Sequence, residues 1–129
     1  MVRRVLVATD RSETAEVAVR FAAEMATRFG ADLVLLQVVV PPTTPSVAMT
    51  EDLVRHARDL VGEQGYGTVV VGDDPGKAII EAAETEDVDV VVVGNVPNRV
   101  SHGTRRTVII VNTMQRVEEQ AQKKRRFFR

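Results

Sequence analysis

Apolar residues gather in five short runs separated by polar and helix-like segments. Residues 4–9 carry Val5, Leu6, Val7 and Ala8 and stop at Asp10, which reads as a strand running straight into helix-start chemistry. Either Asp10 or Ser12 can accept the orphan N–H groups of that helix, and Asp10 with Glu13 has capping-box spacing. Ala18, Phe21, Ala22, Met25, Ala26 and Phe29 then repeat at the spacing of one buried helical face, which Gly30 closes. Residues 32–40 form a second buried strand, broken only by Gln37. Pro41, Pro42 and Pro45, among Thr and Ser, make an exposed loop. A second helix is predicted from Thr50, Glu51 and Asp52, with Leu53, Ala57, Leu60 and Val61 on its apolar face and Gly62, Gly65 and Gly67 at its end. Residues 68–71 give a short third strand. Asp74 before Pro75 is an N-cap with proline at the first helical position, and Ala78, Ile79, Ala82 and Ala83 are the stripe of a third helix. Val88, Val90, Val91, Val92 and Val93 leave no polar face, so residues 88–93 read as a central strand of a parallel sheet.

This alternation predicts an α/β fold: a parallel sheet with helices on both faces, joined by right-handed crossovers. Gly94 ends the fourth strand, and open α/β sheets place their ligands beyond the carboxyl ends of their strands. The site is therefore expected there. Val108, Ile109, Ile110 and Val111 form a short β-branched run near the end of the ordered pattern, a candidate edge strand that invites a partner. After Asn112 the aliphatics thin out. The expected division is a domain over residues 1–113 and a basic tail over residues 114–129.

Length and composition narrow the functional classes. A chain of 129 residues fits one domain that needs no staple. It has no cysteine, and its two histidines, His56 and His102, sit in no acidic cluster, so metal-hydrolase chemistry has little support. The formal net charge of -1 argues against bulk attraction to nucleic acid or membrane. No apolar run reaches spanning length and no signal-peptide core opens the chain, which leaves a cytoplasmic protein as the default. The segment 72–78, GDDPGKA, imitates a phosphate loop but has the wrong glycine spacing, lacks Ser or Thr after Lys77, and carries two carboxylates. Helix capping explains it better.

The stretch RRVLVATDRSETAEVAVRFAAEMATRFGADLVLLQVV, a strand ending in Asp followed by Ser-Glu and an alanine-rich helix, resembles the opening of the universal stress protein family. GDDPGKAIIEAAETEDVDVVVVGN is similar to that family's third helix and fourth strand, and VPNRVSH followed by TVIIVNT to its final helix and last strand. The resemblance covers residues 3–113. It implies a flavodoxin-like, adenine nucleotide alpha hydrolase-like fold with a five-stranded sheet. It also implies a homodimer through the last strand and an adenine nucleotide, ATP or a relative, with Mg. At most slow ATP hydrolysis is expected, since no nucleophile or acid–base pair supports a dedicated enzyme.

Carried over position by position, the resemblance puts Thr9 and Asp10 against ribose, phosphate or a nucleotide-bound Mg, and Val38 against adenine. Gly94, Asn95 and Val96 fall at the phosphates. Each has a plainer alternative: a helix cap for Asp10, a core valine for Val38, a tight strand-to-helix turn for Gly94 and Asn95. One departure stands out. ATP-binding members carry a G-x2-G-x9-G-[ST/N] loop after the fourth strand, whose backbone N–H groups hold phosphates. Here that loop is shortened or missing, and Gly94-Asn95 matches either its first glycine or its last. The competing account is a domain of the same fold that binds no nucleotide and serves dimerisation or protein interaction.

Two basic groups complete the inventory. Arg99, His102, Arg105 and Arg106 lie close to the expected site, where they can serve a phosphate or form a solvated helix end and turn. Residues 123–129, KKRRFFR, combine five cations with two phenylalanines, suited to a protein partner, a fused domain, RNA or anionic lipid, or to a free solvated end.

Overall fold

Five strands hydrogen-bond in the order β3-β2-β1-β4-β5, all parallel, in a computed structural model that describes residues 1–94, 104 and 106–112. The strands are β1 (Arg4–Ala8), β2 (Asp32–Val39), β3 (Gly65–Val71), β4 (Val90–Val93) and β5 (Thr107–Ile110), and the helices are α1 (Glu13–Phe29), α2 (Val47–Val61) and α3 (Pro75–Thr85). The expected α/β architecture is present. Because strand side chains alternate, Val5, Val7, Leu33, Leu35, Val90 and Val92 meet α1 and α2 on one face. Leu6, Val34, Leu36, Val91 and Val93 meet Ile79, Ala82 and Ala83 of α3 on the other. The central strands β1 and β4 are therefore apolar on both sides, as their unbroken valine and leucine runs require.

The caps explain most of the boundaries. Ser12, in extended conformation, accepts Ala15 N–H at 3.1 Å and is the cap of α1, so the capping box read from Asp10 and Glu13 does not form. Gly30 ends α1 at φ 62°, the left-handed conformation that glycine adopts without a side-chain clash. Phe29, placed by periodicity on the buried face, is 55% exposed at the last position of α1. The second helix starts earlier than Thr50: Ser46 accepts Met49 N–H at 3.2 Å and launches α2 at Val47. Val47 is exposed and adds nothing to the apolar stripe that marks the helix. Asp74 and Pro75 begin α3 as expected, with Asp74 accepting Lys77 N–H.

Two glycines read as helix-ending belong to β3. A Cβ on Gly65 would lie 2.5 Å from the carbonyl carbon and oxygen of Ala57, and one on Gly67 would lie 3.0 Å from Val54 N. Their bare backbones let α2 settle directly on the sheet edge. At the other edge, β5 covers Thr107–Ile110, and Val111 follows it, buried, with its N–H donating to Val93 O at 2.8 Å.

Candidate functional site

Sheet order alone locates the crevice. From β1 the chain moves outward through β2 to β3, then returns to place β4 on the other side of β1, so the order reverses between β1 and β4. At such a reversal the connections leave the two strand ends in opposite directions and open a gap.

The first wall of that gap is the turn from β1 into α1. Thr9, 5% exposed, donates its N–H to Leu36 O at 2.8 Å, carrying the β1–β2 pairing one residue past the strand. Its hydroxyl oxygen accepts Arg11 N–H at 2.9 Å. Arg11 is left-handed at φ 67°, which swings the chain out of the strand so that Asp10 Oδ1 accepts Ser12 N–H at 2.9 Å. Hydrogen bonds from the Ser12 side chain and backbone hold the Asp10 carboxyl below its ordinary range. Asp10 is thus an exposed, fully ionised carboxylate at neutral pH.

Parallel register brings the other residues alongside. Val7 pairs with Val92, and two further steps along both strands put Thr9 beside Gly94. Ala8 pairs with Leu36, and the same continuation sets Asp10 level with Val38. Val38 packs half-buried on the α3 face with Ala8, so it serves the core. Thr9, Asp10, Val38 and Gly94 therefore share one end of the sheet. Asn95 and Val96 lie outside the described residues, as do Arg99, His102, Arg105, Thr113 and the tail over residues 114–129.

Arg106, expected near the site as part of that basic group, lies elsewhere. It precedes β5, at the amino end of the sheet, where its guanidinium donates to Val88 O and pairs with Glu84 at 3.1 Å and Asp87 at 3.5 Å. Sequence reading missed this clamp because its partners, Glu84 at the end of α3 and Asp87 in the turn that follows, lie some twenty residues away, with no periodicity to mark them. It also missed His56, whose Nε2 lies 2.9 and 3.0 Å from the two Glu16 oxygens and ties α2 to α1. Among the described residues no group of three His, Cys, Asp or Glu side chains is arranged to hold a metal, and no helix is long and apolar enough to cross a membrane. The donors fit a cation only in part: Asp10 supplies one anionic oxygen, and a nucleotide would have to supply others.

The universal stress protein family model matches residues 1–123. Among solved structures, a universal stress protein in complex with cAMP superimposes at a TM-score of 0.71 with 25% identity, over 87% of this chain and 98% of its own. The universal stress protein from Archaeoglobus fulgidus in complex with dAMP gives 0.66 with 20% identity, over 87% and 98%. A Mycobacterium tuberculosis H37Rv protein gives 0.60 with 27% identity, over 86% and 95%. No curated protein matches the chain at a significant level. With a family match over nearly the whole chain and the same five-stranded sheet, the protein belongs to the universal stress protein family.

Proposed function

We propose that this domain is a regulatory module that binds an adenine nucleotide in the crevice between β1 and β4 and works as a homodimer paired through β5. The observation that carries the reading is the cAMP complex of a relative that superimposes over almost its entire length. In this chain the base would rest against Val38 and the ribose and phosphates against Thr9, Asp10 and Gly94, followed by Asn95 and Val96. With ATP, the Asp10 carboxylate would face the Mg that accompanies the triphosphate. Gly94 matters because a side chain there would stand between the strand end and any phosphate drawn to nearby backbone N–H groups. For the dimer, Val108, Ile109 and Ile110 lie on the outermost strand with Ile110 49% exposed, while Val111 is buried and adds only backbone.

A second reading rests on the short connection after Gly94. Only residues 94–106 separate β4 from β5, so the glycine loop that cradles a triphosphate in ATP-binding relatives has little chain from which to form. That favours a mononucleotide over ATP, or a dimerisation module that binds no nucleotide.

Calorimetric titration with cAMP, AMP and Mg-ATP separates these outcomes. The nucleotide reading expects saturable micromolar binding that Gly94→Val weakens about tenfold or more, roughly 1.4 kcal/mol. Absence of heat and of thermal stabilisation with all three would leave the interaction module. Sedimentation of Ile110→Asp tests the dimer independently, with a monomer as the expected result.

A further inference from the structure

A groove opens on the α3 face, away from the crevice. It is lined by Thr68, Val70, Ala78, Glu81, Ala82 and Glu86. It exists because β3 is the outermost strand and is covered by α2 on one face only; α3 lies inward, against β2. The floor is apolar, made by Val70 with the buried Ala78 and Ala82, and the rim carries hydroxyls and carboxylates. Most neighbouring carboxylates are engaged. Glu84 and Asp87 hold Arg106, and Asp89 accepts the N–H groups of Arg3 and Arg4. Glu81 reaches Lys77 only at 4.0 Å, and among the described residues no cation pairs with the Glu86 carboxylate.

Charge along the chain points to the occupant. Between Asp73 and Asp89 there are seven carboxylates against one lysine, whereas residues 123–129 carry five cations, two phenylalanines and no carboxylate. In a chain of net charge -1, these two segments are the complementary poles. The family match stops at residue 123, so the basic run lies almost wholly outside the part of the chain shared with the family. Reach is sufficient. Five strands put the two sheet edges about 19 Å apart, and residues 113–122 can extend to about 33 Å.

We propose that residues 123–129 dock in cis in this groove, with Phe127 and Phe128 on the floor of Val70, Ala78 and Ala82 and the Lys and Arg heads against Glu81 and Glu86. The tail then closes the exposed face of β3 within the same protomer. Aromatic burial supplies the adhesion and the carboxylate rim supplies the orientation.

The absence of cysteine makes a clean test, because Gln122→Cys gives a single attachment site for a nitroxide next to an intact basic run. In the full chain, amide signals of residues 68–71 and 78–86 should lose most of their intensity relative to the reduced label. Recovery is expected with Glu81→Lys combined with Glu86→Lys, and in about 0.5 M salt, where the screening length falls to about 4 Å. Both substitutions fall on exposed or half-buried helix-end positions, and unchanged signals elsewhere establish that the fold is kept. Losses spread evenly over the surface, losses centred on another face, or no losses overturn the proposal. So does attenuation that appears only when labelled and isotopically enriched chains are mixed, which would seat the tail on a second copy.

Discussion

The two ends of the sheet are built differently. At the amino end, side chains tie together segments far apart in the chain: Asp89 accepts Arg3 N–H at 2.7 Å and Arg4 N–H at 3.1 Å, and Arg4 donates to Glu86 O at 2.6 Å and pairs with Asp32 at 3.5 Å. Arg106 fastens β5 to the turn before β4. At the carboxyl end, the side-chain hydrogen bonds of the turn from β1 into α1 are local: Arg11 N–H donates to Thr9, Ser12 N–H to Asp10 and Ala15 N–H to Ser12. One end is laced across strands; the other is satisfied turn by turn. A turn that supplies its own hydrogen bonds needs no neighbour to satisfy its polar groups. Under the proposed function, stability and binding fall to opposite ends of the same strands.

The largest effect expected from this division is at Gly65, where β3 begins and α2 lies flat on the sheet. Gly65→Val places carbon atoms where Ala57 backbone already stands, at 2.5 Å. The cost should be about 3 kcal/mol or more, seen as a lowered urea midpoint. A change within about 0.5 kcal/mol would mean that the laced end is loosely packed after all. Next comes Asp89→Asn, expected to cost about 1 kcal/mol at neutral pH after allowance for solvent screening. The backbone N–H of Arg3, with that of Arg4, holds the Asp89 carboxyl below its ordinary range. A depressed native value means that the stabilisation is complete above the unfolded pKa of about 3.9 and disappears as pH falls through the lower native value. The difference between wild type and variant should therefore vanish in acid, and a difference independent of pH would remove the carboxylate from the account.

How much of this division is legible in the sequence follows from its physics. The inner strands β1, β2 and β4 are legible because burial on both faces leaves continuous apolar runs, and α3 is legible because Asp74 and Pro75 carry their own conformational preferences. The start of α2 is hidden, since the exposed Val47 breaks the amphipathic pattern while Ser46 caps the helix. The start of β3 is hidden by Gly65 and Gly67, whose value lies in contacts with α2 that only the folded chain brings together. At the candidate site, the placement of Thr9, Asp10 and Gly94 at strand ends was readable, while their proposed roles come from the family resemblance; the left-handed Arg11 has no signature at all. The lacing of the amino end was invisible for the same reason: Arg4, Asp89 and Arg106 are ordinary surface residues until the topology makes them neighbours.

Arg11→Gly is the substitution that should act in the opposite direction. A left-handed arginine costs about 1 kcal/mol that glycine avoids, offset in part by the greater freedom of glycine in the unfolded chain. A gain of about 0.5 kcal/mol is expected, read as a raised urea midpoint. A loss would show that the Arg11 side chain holds the turn and that the carboxyl end is not self-sufficient.

The smallest stability effect is assigned to Asp10→Asn, and it is the sharpest test of the contrast. The amide oxygen of Asn can still accept Ser12 N–H, so the turn survives while the charge is lost. The Ser12 side chain, then its backbone, holds the Asp10 carboxyl below its ordinary range, so the carboxylate stabilises the fold above about pH 4, and this contribution falls away in acid. The residue is exposed and its bonds are local, so the pH-dependent part should be smaller than that of Asp89 in parallel urea titrations at neutral and acid pH. Asp10→Asn should instead act on the ligand, altering Mg-ATP affinity more than cAMP affinity, because only the triphosphate brings a cation to this carboxylate. If Asp10→Asn destabilises as much as Asp89→Asn and leaves both affinities unchanged, the carboxyl end is as structural as the amino end, and the crevice has no claim to be the binding site.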